Sequence, residues 1–339
     1  MASPVDAGVI VGIGRGVVTV LLSLMVASFL LAAGFCRVAP AVGLLDRPND
    51  RSLHSSVTPV GVGVVPVSLL ALGLVLYEAA DFNHYAWPVA GLLIVLCGVG
   101  LWDDRWGLPS GLRFVLYLLA GAVLPWYSPW LEGVSWLMLC GTAVAMAWCT
   151  NLFNFMDGAD GFAVTQALCV SVGLALLSWF AAIPAQPLAQ WCAMLAAALA
   201  PVLWFNWPPA RVFLGDAGAI PIGFFLANLG FLAFEQHSAL GWAWCVLMMP
   251  FLMDTGCTLV LRVAAGHKPQ EAHRDHAYQR LATLAGSPLP VTLGLLALQV
   301  GWQFPLAVTV VKQSLFLPAL VFLSTIPAFI LLVYARLKA

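Results

Sequence analysis

The chain has 339 residues, of which 62% are hydrophobic and only 9% charged. Soluble domains carry about 25% charged residues, so this chain cannot cover its own surface in water and must use lipid as part of its solvent. The formal net charge of −1 excludes a basic field for nucleic acid and makes the placement of the few charges the informative feature.

A membrane span needs roughly 20 apolar residues. With that ruler the chain divides into eleven candidate spans, at about 11–36, 61–80, 86–101, 112–128, 133–150, 162–182, 188–205, 217–235, 240–262, 289–310 and 314–335. The expected fold class is all-α: a polytopic transmembrane helix bundle of about 10–11 spans, forming one domain over residues 1–339. Only Arg15 precedes most of the first long apolar run and more spans follow, so this run reads as an uncleaved helix rather than a removed signal peptide.

The linkers after the odd-numbered spans are long and polar, and those after the even-numbered spans are short. Of the fourteen Lys and Arg residues, all but Arg15 and Lys312 lie in or beside the odd linkers and the C-terminal tail. Cytoplasmic loops carry the Lys/Arg excess, so the odd linkers, near 37–60, 102–112, 151–162, 206–217 and 263–288, are expected on the cytoplasmic side. Most acids lie there too, and nearly all of them are Asp beside Asn, Gly and His. The eight cysteines form no CxxC pair and sit in or at the edge of apolar runs, as small hydrophobes do.

The first odd linker carries Asp46-Arg47-Pro48-Asn49-Asp50-Arg51-Ser52-Leu53-His54, a loop-like stretch able to supply phosphate contacts. The second begins with Asp103-Asp104 at a span end. Adjacent carboxylates repel unless a cation or proton intervenes. Mg²⁺ taking one or two carboxylates plus substrate phosphates is one solution; neutralisation by Arg105 and Arg113 is the other. The third linker reads Asn151-Leu152-Phe153-Asn154-Phe155-Met156-Asp157-Gly158-Ala159-Asp160-Gly161. It is richer in Asn, Asp and Gly than helix capping requires, and it lacks the spacing and closing Glu of an EF-hand.

The fourth linker runs from Asn206 through Pro208-Pro209, which stop the preceding helix, to Phe213-Leu214-Gly215-Asp216-Ala217-Gly218. Asp216 can cap the next span, which is compatible with metal binding. Within the ninth span, Asp254 follows Pro250 by four residues; an ionisable group at that depth is functional or paired, and the sequence does not reveal a partner. The last linker reads His273-Arg274-Asp275-His276-Ala277-Tyr278-Gln279-Arg280-Leu281. His273, His276 and Arg280 fit one face of a short helix, and imidazole with guanidinium suits a phosphate clamp better than a zinc site, because the HExxH pattern is absent.

Five motifs in order, Asp46-Arg47-Pro48 with Arg51 and His54, Asp103-Asp104, Asn151 to Gly161, Phe213 to Gly218, and His273 to Leu281, resemble the polyprenyl-phosphate N-acetylhexosamine-1-phosphate transferases. This is the group that contains the WecA-like and MraY-like enzymes; the His273–Leu281 form is closer to the branch that starts O-antigen and related glycan lipids. The resemblance implies transfer of an N-acetylhexosamine-1-phosphate from a UDP-sugar to undecaprenyl phosphate, with UMP released, at the cytoplasmic face of a bacterial inner membrane. It implies Mg²⁺, with Mn²⁺ as a substitute, on Asp216 and Asp103, and a catalytic set of Asp103, Asp104 and Asp216, with the base-versus-ligand roles of the pair open. Asn154, Asp157, Asp160, Asn206 and Phe213 would line the nucleotide pocket. His273, Arg274 and His276 would meet the diphosphate and sugar, with Arg51 and His54 as further substrate contacts. The family's PRxGG pattern is replaced by Pro59-Val60-Gly61-Val62-Gly63, so no substrate arginine is assigned there. The expected partners are the nucleotide-sugar, the polyprenyl phosphate and the bilayer; a homodimer is compatible with such a bundle. The rival class, a membrane transporter, would instead place its ionisable groups near the bilayer midplane at broken helices.

Overall fold

The computed structural model describes residues 4–48, 53, 56–78, 85–124, 135–180, 186–268, 273–312 and 317–338. In chain order these residues form α1 (Pro4–Val38), β1 (Leu45–Asp46), β2 (Thr58–Pro59), α2 (Val64–Glu78), α3 (Ala86–Trp106), α4 (Ser110–Val123) and α5 (Trp136–Phe155). There follow α6 (Phe162–Phe180), α7 (Gln186–Asn206), α8 (Asp216–Gln236), α9 (Ser238–Ala264) and α10 (Ala277–Ala285). The chain ends with α11 (Leu289–Leu298), a π turn (Gln299–Gln303) that continues into α12 (Phe304–Lys312), and α13 (Leu317–Lys338).

The protein is an all-α multi-pass membrane bundle. Among the described residues nine helical segments are long and apolar enough to span a membrane, α11 to α12 counting as one. The expected second and fourth spans are shorter: α2 and α4 have 15 and 14 residues. The expectation that His273, His276 and Arg280 share a helix face is corrected. α10 starts only at Ala277, because His276 has extended backbone (φ −62, ψ 143).

The centre of the bundle is α8. It carries no ionisable side chain between Asp216 and Glu235, and every residue from Ala217 to Gly230 is buried. A helix that is apolar all round is either a lipid-facing span or a buried one, and the burial of α8 makes it the latter. Its small residues let neighbours approach closely, as membrane helices require in place of a hydrophobic driving force. Gly223 lies against Phe153 and Thr150 of α5, and Gly230 lies under the Trp244 ring of α9. At the rim, α1 and α13 turn most of their apolar surface outward.

One cluster of polar groups ties three helical segments together within the bundle. In the turn of α9 loosened by Pro250, the Leu247 carbonyl accepts from Gln166 Nε2 (2.9 Å) and Gln299 Nε2 (2.8 Å), and Gln299 also donates to Gln166 Oε1 (2.7 Å). The π turn after Leu298 places both Gln299 and Gln303 in buried positions.

Candidate active site

The odd linkers meet at one end of the bundle. The β1–β2 hairpin pairs Leu45 with Pro59 and Asp46 with Thr58. Its continuation is zipped to the segment before α8: Phe213 N donates to Pro59 O (2.8 Å), Gly61 N and Val62 N donate to Phe213 O, and Gly63 N donates to Leu214 O. Gly215 then takes φ +73, a left-handed conformation suited to glycine, and a Cβ there would stand 2.6 Å from Asp104 Oδ2. On α3, Gly100 lets the start of α8 come so close that a Cβ would stand 2.1 Å from the Asp216 carbonyl oxygen. One turn further along α3, the Asp103–Asp104 pair faces the α8 N-terminus.

The two adjacent carboxylates do different work. Asp104 accepts from Asp216 N through Oδ1 (2.9 Å) and from Ala217 N through Oδ2 (3.0 Å). It therefore caps α8 from another helix, where the positive end of the dipole favours a carboxylate. Asp103 accepts from Leu108 N (2.6 Å) and from Arg113 Nη1 (2.5 Å). The same Arg113 nitrogen donates to Asp216 Oδ2 (3.0 Å), while Asn154 Nδ2 donates to Asp216 Oδ1 (2.9 Å). Four helices thus converge on Asp216, and its side chain keeps 26% exposure against 8% for Asp103. Asp216 is the more reachable of the two.

The third linker adds Asp157 and Asp160. Asp160 Oδ2 accepts from Ala210 N (2.9 Å), and Asn206 accepts from Gly161 N (3.1 Å) and donates to Val212 O (2.9 Å). These side chains lock the third and fourth linkers together. No described hydrogen bond or ion pair ends on the Asp157 carboxylate, which faces the cavity. Burial, reinforced by Asp216, Asp104 and Asp160, holds its carboxyl well above the ordinary carboxylate range.

The cavity between these elements has a volume of about 470 Å³, the size of a small-molecule site. Of the sequence-predicted residues, Asp103, Asp104, Asn154, Asp157, Asp160, Asn206, Phe213 and Asp216 line it. Arg51 and His54 lie outside the described residues. His273, Arg274 and His276 are not in the wall. His276 is buried against Asp254 (Nδ1 to Oδ1 3.3 Å), and Asp275 pairs with Arg262 and Arg280. Those arginines hold Asp275 below the usual carboxylate range, against burial, which raises it. Burial, with His276 and Arg262 adding to it, pushes the His273 imidazole down to about 4.

Asp46 of the first motif also stands in the wall, and the structure adds wall residues given no substrate role in the sequence: Arg113, Tyr278 and Gln279. Arg113, expected as a neutraliser of the Asp103–Asp104 pair, instead bridges Asp103 and Asp216. Its position soon after a short linker, ten residues beyond Asp103, was the available signal.

Among the described residues no three His, Cys, Asp or Glu side chains converge into a ready-made metal cage. The donor set nevertheless fits Mg²⁺. Among the described residues, six carboxylates (Asp46, Asp103, Asp104, Asp157, Asp160 and Asp216) line one cavity with a single arginine, Arg113, and one carboxylate, Asp157, has unused acceptor capacity. Mg²⁺ is bound through one or two carboxylates and completed by water and substrate phosphates rather than by an all-protein cage.

The Glycosyl transferase family 4 model matches residues 86–234, from the start of α3 to near the end of α8. An Escherichia coli (strain K12) protein named undecaprenyl-phosphate alpha-N-acetylglucosaminyl 1-phosphate transferase is 29% identical over 265 residues, covering 71% of this chain and 70% of the relative. A Bacillus subtilis (strain 168) protein named probable undecaprenyl-phosphate N-acetylglucosaminyl 1-phosphate transferase is 23% identical over 89% of this chain and 86% of its own length. The decaprenyl-phosphate N-acetylglucosaminephosphotransferase of Mycolicibacterium smegmatis is 30% identical over 304 residues, covering 76% of this chain and 73% of that protein. With that identity across most of both chains, and with the family match falling on the helices that build the cavity, this chain is an enzyme of glycosyl transferase family 4.

Proposed function

We propose that the protein transfers an N-acetylhexosamine-1-phosphate from a UDP-sugar to undecaprenyl phosphate, releasing UMP, at the cytoplasmic face of a bacterial inner membrane. The product would start a lipid-linked glycan such as O-antigen. The observation that carries this reading is the gathering of Asp103, Asp104, Asn154, Asp157 and Asp216 from three distant helix ends and a linker into one cavity. Relatives named as polyprenyl-phosphate N-acetylglucosamine phosphotransferases support the reaction class.

A second cavity of about 270 Å³, lined by Phe162, Leu281, Val291, Leu295 and Leu331 among others, shares Tyr278 with the polar one. Apolar surface therefore adjoins the phosphotransfer site, as a lipid acceptor requires.

In this reaction an oxygen of the acceptor phosphate bonds to the sugar-proximal phosphorus, and the bond from that phosphorus to the oxygen of the UMP phosphate breaks. Catalysis rests on positioning and on stabilising charge on the phosphates. Mg²⁺, or Mn²⁺ in its place, would supply positive charge to the diphosphate and the leaving group. Asp216 and Asp157 would hold it, with Asp103 contributing if it exchanges its bond to Arg113. Arg113 would supply a second positive charge beside the phosphates. Asn154 orients Asp216, and Asp104 fixes the α8 N-terminus by accepting a backbone amide at each of its oxygens. Phe213 offers an aromatic face to the nucleoside.

The test is UMP release by purified protein with undecaprenyl phosphate and a panel of UDP-N-acetylhexosamines. Release that needs Mg²⁺, stops with EDTA and is lost in Asp216→Asn supports the reading. Near-normal turnover in Asp216→Asn, or uptake of solute into proteoliposomes without UMP release, refutes it.

A further inference from the structure

We infer that Asp254, which does not line the polar cavity, is a positioning residue that sets the Asp157-bearing linker through α10 and Tyr278. The inference deepens the proposed function and rests on it for its kinetic readout.

Asp254 is 7% exposed, on α9, one turn beyond Pro250. Its Oδ1 accepts from Ala277 N (2.9 Å) and its Oδ2 from Tyr278 N (3.0 Å). These are two of the orphan amides at the start of α10, and the local cap residue, His276, offers no side-chain cap of its own. A carboxylate from a long membrane helix therefore takes the place of the missing cap. Thr258 Oγ1 (3.2 Å) and His276 Nδ1 (3.3 Å) hold Oδ1 from the other side.

The first turn of α10 carries Tyr278, which is 2% exposed. Its hydroxyl donates to Phe155 O (2.9 Å) at the end of α5. Its ring stacks on Phe162 at the start of α6, with centroids 4.9 Å apart and planes 15° apart. Phe155 and Phe162 bracket the linker that bears Asp157 and Asp160. Tyr278 also closes on the linker's middle: a Cβ at Gly158 would stand 2.3 Å from the tyrosine hydroxyl. Both ends and the centre of the segment thus bear on one side chain, and the register of that side chain is set by the Asp254 carboxylate. The same turn places Gln279 in the cavity wall.

A carboxylate accepts at both oxygens, whereas the amide of Asn would turn an NH₂ donor toward one of the two backbone N–H groups. Asp254→Asn therefore breaks half of the clamp at nearly constant volume. The experiment compares the full-length wild type with Asp254→Asn, Tyr278→Phe and the double variant in detergent. It reads backbone hydrogen exchange over 156–161 and 277–285, and UMP release per folded molecule at saturating substrates. Asp254→Asn should speed exchange at least tenfold in both segments and lower kcat at least tenfold, with the global melt retained. Tyr278→Phe should loosen 156–161 while leaving 277–285 protected. The double variant should lose no more than the worse single variant, because the two lie on one line of action.

Unchanged exchange at 156–161 in Asp254→Asn, a kcat within twofold of wild type, or multiplicative losses in the double variant would overturn the inference. If Asp254→Asn does not fold, Thr258→Val, which removes one support of the carboxylate, must show the same paired loosening in smaller measure, and its absence also overturns the inference. Failure of the wild type itself to release UMP would count against the proposed function, while the exchange result would still decide the mechanical claim.

Discussion

Gly100→Ala tests the packing that makes the site. The added Cβ would stand 2.1 Å from the Asp216 carbonyl oxygen, 2.3 Å from its carbonyl carbon and 2.5 Å from Ala217 N, all backbone atoms that cannot rotate away. Ordinary van der Waals contact begins at 3.4 Å, so α3 and the α8 N-terminus must separate by about 1.3 Å. Overpacking of this kind destabilises by about 1–3 kcal/mol. The larger effect falls on chemistry, since Asp104 would lose its grip on the Asp216 and Ala217 amides. A misplacement of about 1 Å lowers a rate by roughly 10²-fold, or about 2.7 kcal/mol of barrier. Gly98 lies on the same helix with nothing within 4 Å of its would-be Cβ, so Gly98→Ala is the matched control. UMP release per folded molecule should fall about 100-fold in Gly100→Ala and stay within twofold in Gly98→Ala. Gly100→Ala turning over within threefold of wild type would refute the claim that this close approach positions Asp216.

Arg113→Met removes the guanidinium that bridges Asp103 and Asp216. Leaving a charge pair half-broken costs about 2–5 kcal/mol, so turnover should drop at least about 30-fold while membrane insertion, read by fractionation, is unchanged. His273 has its pKa lowered from 6.5 to about 4. The unfolded chain therefore takes up a proton as pH falls through 6.5 that the folded chain refuses until about 4, and folded stability declines across that window. His273→Gln should flatten this decline in melts run between pH 7 and 4; an unchanged pH dependence would contradict the assignment. Gln299→Leu deletes the donor to Leu247 O and Gln166. Interhelical hydrogen bonds in membranes contribute about 0.6–2 kcal/mol, so the detergent melt should fall by a few degrees with kcat unaltered.

Much of the site was legible in the chain because its chemistry demands rare residues in an apolar background. Asp103, Asp104, Asn154, Asp157 and Asp216 stand out beside spans that otherwise lack charge, and the odd-linker pattern placed them on one side. Other features were not legible. Asp254 could be flagged as an ionisable residue at depth, yet its partners are the amides of Ala277 and Tyr278, more than twenty residues away and visible only once α10 folds back. The face assigned to His273, His276 and Arg280 failed because helical spacing was counted across a stretch that is still extended at His276. Asp160 and Asn206 line the cavity as expected, and what the chain did not reveal is that their hydrogen bonds also tie two linkers together.

The sequence alone determined that this protein lives in lipid, that it is helical, and which carboxylates stand at the span ends that build the cavity. Apolar run length and scarce charge are local properties, and a bilayer permits few architectures that satisfy every backbone group. Tertiary structure alone decided how the carboxylates divide their work. Whether Asp104 caps a helix, Asp103 pairs with Arg113 or Asp157 keeps its lone pairs for a ligand depends on which backbone amides and guanidinium groups arrive beside them. Those groups come from helices far away in the chain, brought into reach by glycine contacts such as that of Gly100 with Asp216.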